Sequence, residues 1–433
     1  MKYYSTNNPI PKVSLMEAVT KGLASDNGLF MPERIEGFDR HFFENIHKMT
    51  FQEIAFEVAK KFFVEDIPEE ILKEIVYDAI NFDCPLVRVK DSVYSLELFH
   101  GPTLAFKDVG GRFMARLLGY FLKGFKREVN VLVATSGDTG SAVANGFFKV
   151  PGIKVYVLYP KGLVSDIQEK QFTTLGHNIT SLEVDGTFDD CQRLVKSAFL
   201  DKELNEAIVL TSANSINVAR FLPQAFYYFN AYARLREAGV KGDLVFSVPS
   251  GNFGNLTAGL FAKFMGLPVK RFIAANNSND IVYNYLQTGK YEPRASIATI
   301  ANAMDVGAPS NFARILELYS HSLEAISMDM VGYRFSDEEI RETMKQVFVD
   351  ENYMLDPHGA VGYRALKTDL KNGEVGVFLE TAHPAKFTET VESVIGQGTV
   401  KLPGKLVEFM KGKKLSIQMS TEFQDFKQFL LNK

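Results

Sequence analysis

The stretch VNVLVATSGDTGSAVA, residues 129–144, decides the reading of this chain. Its first seven residues, VNVLVAT (129–135), form a short β-branched apolar run of the kind that fills a buried strand. Small polar residues, SGDTGSA (136–142), follow at once, and a helix-like segment begins near Ser141. The same sequence of strand, turn and helix recurs downstream in IKVYVLYP (153–160), NITSLEVDG (178–186) and AIVLTSA (207–213). That alternation predicts a parallel sheet with helices on both faces. It continues through a long amphipathic helix over 217–239, a strand and turn DLVFSVPSG (243–251), a helix NLTAGLFAKFMG (255–266) and a strand RFIAANN (271–277). These belong to a second sheet or to an extension of the first. EVGVFLE (374–380) is a late strand that runs into TAHPAKF (381–387), and the lysine-rich stretch from about residue 400 closes the surface. Upstream, EVAKKFF (57–63) and EEILKEIVYDAI (69–80) place apolar residues at helical spacing, so the first ninety or so residues read as mainly helical.

Composition limits what such a chain can do. With 433 residues there is room for about three domains. Apolar residues make up 46% and charged residues 23%, which excludes wholesale disorder, collagen and coiled coil. Forty-eight Lys and Arg against 52 Asp and Glu leave a net charge of −4, without the basic field that a nucleic-acid binder needs. No apolar stretch is long enough to span a membrane, and MKYYSTNNPIPKV (1–13) lacks the apolar core of a signal peptide. Cys84 and Cys191 stand far apart with no CxxC, which argues against a disulfide framework or zinc site and for a reducing, cytoplasmic setting. The seven histidines are scattered, His41 and His47 being the nearest pair, so no metal site is expected.

Ligands of open α/β sheets sit at the carboxyl ends of strands, and three loops there hold unusual residues. SGDTGSA can offer backbone amides, hydroxyls and a helix N-terminus to an anion, or be an ordinary capped turn. SGNFGN (250–255) can nest a phosphate among its amides, or be a tight turn. It is neither a Walker A loop nor a GxGxxG fingerprint. In HGPTLAFKDVGGRF (100–113), Lys107 starts an apolar helical run beside Phe106. Desolvation there would lower its pKa and suit it to an imine with an aldehyde cofactor, whereas a solvated surface lysine is the ordinary alternative. His358 and His383 sit near strand ends and either touch a ligand or cap structure. GQGTVK (396–401) reads as a turn, and no GxSxG nucleophile elbow is present.

Taken in chain order, the FKD lysine, the SGDTG loop and the GNFGN loop resemble the pyridoxal-phosphate enzymes of the tryptophan synthase β fold. Within them the chain resembles the threonine synthase family, of the longer type with an N-terminal segment. The matching stretches are KGLASDNGLFMPE (21–33), ELFHGPTLAFKD (97–108), ATSGDTGSAVA (134–144), SANSINVARFLPQ (212–224), SVPSGNFGNLTAGL (247–260), NAMDVGAPSN (302–311) and TAHPAKF (381–387). The resemblance implies an α/β fold of type II: two open, mostly parallel sheets covered by helices, plus a mainly helical N-terminal segment. The expected division is an N-terminal domain over 1–95, a large cofactor domain over 96–128 and 215–400, a small α/β domain over 129–214 and an extension over 401–433.

The same resemblance assigns roles. It implies pyridoxal 5′-phosphate held by Lys107, with Ser250, Gly251, Asn252, Phe253, Gly254 and Asn255 around its phosphate and Thr381 facing its ring nitrogen. Thr135, Ser136 and Thr139 would grip the substrate carboxylate. Asp138 stands where related enzymes usually carry asparagine, and contact with the cofactor's 3′ oxygen stays open. Ser215, Asn217 and Arg220, with Arg112 as a further candidate, would form a second anion cup. The implied reaction converts O-phospho-L-homoserine and water to L-threonine and phosphate by γ-elimination and β-addition of water. A phospholyase or dehydratase yielding 2-oxobutyrate, ammonia and phosphate is the alternative. The partner is a small molecule rather than nucleic acid or membrane, and monomer and homodimer both stay open.

Overall fold

Strands that bury every side chain need cover on both faces, and this chain supplies it twice. A computed structural model of the protein describes residues 1–7, 11–124 and 127–432, so three residues of the stretch 1–13 lie outside the description. Val129–Ala134 and Arg271–Asn276 bury all six of their residues, and Glu374–Glu380 buries all seven. Such runs form the middles of two separate sheets.

The larger sheet has six strands in the order Met330–Arg334, Arg271–Asn276, Asp243–Pro249, Glu374–Glu380, Val93–Glu97 and Leu86–Lys90. All neighbours run parallel except the final pair, an antiparallel hairpin at the edge. The smaller sheet has five parallel strands: Ile417–Met419, Ile179–Val184, Ile153–Pro160, Val129–Ala134 and Val209–Ser212. The second sheet left open by the sequence is therefore a separate one.

Helix Lys107–Phe121 from the larger body packs on helix Asp138–Phe147 of the smaller one. Glycines make the approach close enough. A Cβ on Gly110 would lie 2.3 Å from the Arg220 carbonyl oxygen, and one on Gly146 would lie 2.9 Å from that of Gly111. These two positions exclude any side chain, and they bring Arg220 against the helix that starts with Lys107.

The N-terminal segment is mainly helical, with helices Phe51–Phe63 and Glu69–Ala79, and it adds a three-stranded antiparallel sheet of Val13–Ser14, Lys2–Ser5 and Phe30–Pro32. Three expectations are corrected. A boundary at residue 95 would cut off Leu86–Lys90 and Val93–Glu97, which are hydrogen-bonded into the larger sheet. The expected helix over 217–239 is broken into Val218–Phe221, a 3₁₀ turn Leu222–Ala225 and Phe226–Glu237. Pro223 lacks the amide hydrogen that a continuous helix requires. Finally, the extension over 401–433 does more than close the surface. Ile417–Met419 is an edge strand of the smaller sheet, and helix Phe423–Leu431 buries Phe426 and Leu430 beneath it. Among the described residues no helix is long and apolar enough to cross a membrane. Cys84 and Cys191 are both free and buried.

Candidate functional site

The carboxyl ends of Val129–Ala134, Asp243–Pro249 and Glu374–Glu380 open into one cleft, lined by Ser136, Gly251 and Thr381 among others. Lys107 stands in it as the first residue of its helix. Its ammonium lies 5.4 Å from the centre of the Phe106 ring. Burial pulls the Lys107 pKa down from 10.5 to about 8; Asp138 opposes this, while Lys386 and Arg220 add to it. A lysine in that state is a usable base and nucleophile near neutral pH.

The loop after Asp243–Pro249 is built from backbone. Ser250 Oγ donates to Asn255 Oδ1 at 2.7 Å, and Asn255 Nδ2 returns a bond to the Pro249 carbonyl at 2.9 Å, closing the loop on itself. Phe253 adopts the left-handed conformation at φ 59°, immediately before helix Gly254–Phe264. Holding a bulky residue there costs roughly 1–3 kcal/mol. The first residues of that helix, Gly254 and Asn255, line the cleft, and the amides of a helix's first turn lack intrahelical acceptors. A Cβ on Gly251 would come within 2.7 Å of Met304 Cα, so this space must stay empty of side chain. Gly251, Asn252, Phe253, Gly254 and Asn255 all line the cleft. Ser250 is buried behind them and serves as the clamp on Asn255 rather than as part of the lining. A neutral cradle of amides at a helix N-terminus fits a phosphate group.

The loop after Val129–Ala134 is built from side chains. Thr135 Oγ1 accepts from the amides of Gly137 at 2.9 Å and Gly140 at 2.7 Å. Its side chain shapes the loop and is not part of the lining, which corrects the expectation that it grips a ligand. Ser136 and Thr139 do line the cleft, and the helix starts at Asp138, three residues before the expected Ser141. Asp138 is almost fully buried there. Its Oδ1 lies 2.6 Å from Lys386 Nζ and accepts from Gln168 Nε2 at 2.8 Å. Burial pushes the carboxyl pKa up, but Lys386 and Lys107 outweigh it and hold it well below the usual carboxylate range.

The second anion cup separates into parts. Arg220 is buried and lines the cleft, with Nε donating to the Ala213 carbonyl at 2.8 Å and Nη1 to the Lys107 carbonyl at 3.0 Å. Burial lowers its pKa to about 10, which leaves it charged, and among the described residues it has no carboxylate partner. Ser215 also lines the cleft. Its oxygen accepts from both Asn252 Nδ2 and Asn311 Nδ2 at 2.9 Å, which leaves its hydroxyl hydrogen to donate elsewhere. Asn217 is not part of the cup. It caps Val218–Phe221, and its amide donates to Val19 and Ser212 carbonyls. Arg112 is outside the cleft altogether, bonded to the Ala79 carbonyl at 2.9 Å and the Asp78 carbonyl at 2.6 Å. Five residues of helix turn it about 140° from Lys107, so the two cannot share a face.

Thr381 lines the cleft, and its carbonyl accepts from the Phe106 amide at 2.9 Å, which ties it to the residue preceding Lys107. His358 lies in the first turn of helix Pro357–Asp369 and lines the cleft opposite. Its Nε2 accepts from the Ala303 amide at 3.1 Å, and Nδ1 meets Asp356 Oδ2 at 2.8 Å, so it anchors the loop carrying Met304. His383 caps the turn Pro384–Phe387, its Nδ1 accepting from the Ala385 amide. Among the described residues no group of three His, Cys, Asp or Glu is placed to hold a metal.

Sequence reasoning singled out no role for Lys386, Gln168 or the Met304 loop. A lysine within the small-residue run TAHPAKF was the available signal, since a lysine there is buried only if it finds a partner. Together, the amide cradle, the lowered Lys107 amine and the Thr381 hydroxyl suit a cofactor that combines a phosphate, an aldehyde and a ring nitrogen.

Comparison with known proteins agrees. Residues 84–381 match the family model "Pyridoxal-phosphate dependent enzyme", residues 2–80 "Threonine synthase N terminus" and residues 359–430 "Threonine synthase, C-terminal". The chain is 46% identical over 432 residues to threonine synthase of Escherichia coli (strain K12), covering 100% of both chains. The crystal structure of threonine synthase from Escherichia coli superposes with a TM-score of 0.94 and full coverage of both chains. That of PLP-bound threonine synthase from Brucella melitensis, 34% identical, superposes with a TM-score of 0.93, covering 100% of this chain and 99% of the other.

Proposed function

The chain belongs to the pyridoxal-phosphate-dependent threonine synthase family, and on that premise we propose that its cleft converts O-phospho-L-homoserine and water to L-threonine and phosphate. The observation that carries this reading is the meeting of Lys107, the amide cradle at Gly251 and the buried cation Arg220 in one cleft. The cofactor, when bound, supplies an aldehyde that forms an imine with an amine and a ring that withdraws electrons from the substrate's Cα.

The protein's part is positional and electrostatic. The Gly251, Asn252, Phe253, Gly254 and Asn255 segment holds the cofactor phosphate through neutral amides, with Ser250 as clamp. Thr381 would offer a hydroxyl to the ring nitrogen, in the place where a carboxylate would hold that nitrogen protonated. Ser136 and Thr139, with the N-terminal amides of helix Asp138–Phe147, receive the substrate carboxylate. Lys107, once released as a free amine with its low pKa, removes the proton at Cα and returns protons as the reaction advances.

Arg220 supports the departure of phosphate. A buried guanidinium that, among the described residues, donates to backbone carbonyls and meets no carboxylate is a costly group unless an anion arrives beside it. The Ser215 hydroxyl, held by Asn252 and Asn311, gives a second donor on the same wall. Departing phosphate builds negative charge at this wall, where fixed donors lower the barrier most.

The test is a product assay on purified protein with pyridoxal phosphate and O-phospho-L-homoserine, with threonine, 2-oxobutyrate and phosphate measured together. Equal amounts of threonine and phosphate are expected. Phosphate with 2-oxobutyrate in place of threonine would overturn the assignment in favour of a phospholyase.

A further inference from the structure

Lys107 lines the cleft half-buried, Lys386 is buried behind it, and the chemistry assigned to Lys107 leaves Lys386 without a role. Lys386 is completely buried. Its ammonium sits 2.6 Å from Asp138 Oδ1 and donates to the Thr103 carbonyl at 2.9 Å. Thr103 is in turn fixed by Asp108, which accepts from its amide at 2.8 Å and its hydroxyl at 2.7 Å.

The pair crosses between the two bodies. Asp138 and its second donor Gln168 belong to the body of the smaller sheet, on helices Asp138–Phe147 and Asp166–Thr173. Lys386 follows Glu374–Glu380, a central strand of the larger sheet. Both donors to Asp138 converge on Oδ1, while Asp138 also lines the cleft that holds Lys107. Stability alone does not explain such a pair. Burying two charges costs several kcal/mol per ion, and apolar replacement of a buried pair is often neutral or stabilising.

We propose that Lys386 is a positioning residue that pins Asp138 across the floor of the cleft and cancels its charge toward Lys107, so that Lys107 is not captured as the ion-pair partner of Asp138. The proposal rests on Lys107 being the lysine that holds the cofactor. Its logic is charge counting. Asp138 alone would favour the protonated form of the nitrogen at Lys107, whereas Lys386, paired with Asp138, offsets that attraction. Without Lys386, one buried carboxylate would face Lys107 with only Arg220 to balance it. Without Asp138, two buried cations would face it. The two losses therefore act with opposite sign, which a merely structural contact would not do.

Other charged groups around Lys107 stay in place in this comparison. Arg220 sits against the Lys107 carbonyl, and Asp108 lies one residue on, its carboxyl pushed up by burial. On the far wall are His358, with Asp356 behind it, and Asp305, whose carboxyl burial raises to about 6. Each is present in wild type and variants alike; Lys386 also draws the Asp108 carboxyl down, so D138N, which leaves Lys386 in place, gives the cleaner sign.

The experiment is a pH titration of the visible absorption band of bound pyridoxal phosphate, without substrate, in the wild-type holoenzyme, K386M, K386R, D138N and the double variant. Relative to wild type, the midpoint is expected to rise by about one pH unit or more in K386M and to fall by a similar amount in D138N. K386R should stay near wild type, and the double variant should return toward it. Equal-sign shifts in the two single variants, or a persistent band whose midpoint moves in neither, would overturn the proposal. If K386M fails to fold, D138N still decides by its sign: an unmoved or raised midpoint contradicts the proposal. A wild-type protein that forms no such band overturns the Lys107 assignment, and the present proposal with it, by a result distinct from an unmoved midpoint.

Discussion

The loop after Val129–Ala134 and the loop after Asp243–Pro249 occupy the same topological position and are made of opposite materials. The second is neutral: backbone amides, Ser250 and Asn255 locked to one another, Asn252 fastened to Ser215, and a strained Phe253 at the helix start. The first carries a buried carboxylate with a lysine from the other body and a glutamine fastened to it. The contrast teaches a division of labour. A phosphate that stays in place throughout a reaction needs fixed dipoles that cost nothing to reorganise. A lysine that gains and loses a proton needs neighbouring charges in balance, and charges can be balanced only by side chains.

The largest expected effect breaks the charged side at its centre. Lys107→Ala should lower threonine formation by at least a thousandfold, since it removes both the covalent anchor and the base. Single-turnover assays with added cofactor check it, and turnover within tenfold of wild type would contradict the assignment. Next is Arg220→Met, expected to cost a hundred- to a thousandfold in kcat/KM, the range for one fixed donor at a developing anion. An unchanged kcat/KM would leave the departing phosphate without its proposed partner.

On the neutral side, Gly251→Ala should weaken cofactor binding by about tenfold or more, because the new methyl meets Met304 Cα at 2.7 Å. Overpacking of this kind costs about 1–3 kcal/mol. Fluorescence titration of cofactor into the dialysed variant reads the effect directly. Smaller still is Arg112→Ala. Its bonds to the Asp78 and Ala79 carbonyls predict a lower Tm with the substrate KM within twofold of wild type.

The smallest effect concerns His383, whose pKa falls from 6.5 to about 4, first through burial and then through nearby His100. The unfolded chain takes up this proton at higher pH than the folded one does. Its contribution to stability is therefore whole above pH 6.5 and lost as pH falls toward 4. Thermal melts of wild type and His383→Asn across this window should diverge, with the variant less pH-dependent.

Much of this was readable because of how the chain is patterned. IKVYVLYP and EVGVFLE coincide residue for residue with Ile153–Pro160 and Glu374–Glu380, since a buried parallel strand has no polar face to blur its ends. The hairpin Leu86–Lys90 and Val93–Glu97 escaped notice because its edge strand, LVRVK, is only half buried and intersperses charges. The N-terminal strands span two to four residues, too few to show a period. Motif position identified Lys107, Arg220, Ser215 and the 250–255 loop as cleft neighbours, but not which side chains face inward. Thr135, Asn217 and Ser250 carry residue types suited to ligands, and they spend their hydrogen bonds on the protein itself, Thr135 and Ser250 within their own loops and Asn217 partly on Val19. No local signal links Asp138 to Lys386, because only the docking of two sheets brings them together.

The most direct test of the account is to reduce the holoenzyme with borohydride, digest it and locate the pyridoxyl-labelled lysine by mass spectrometry. The account predicts a single labelled site at Lys107, with Lys386 unmodified. Label on Lys386, or on any lysine outside the cleft, would contradict it.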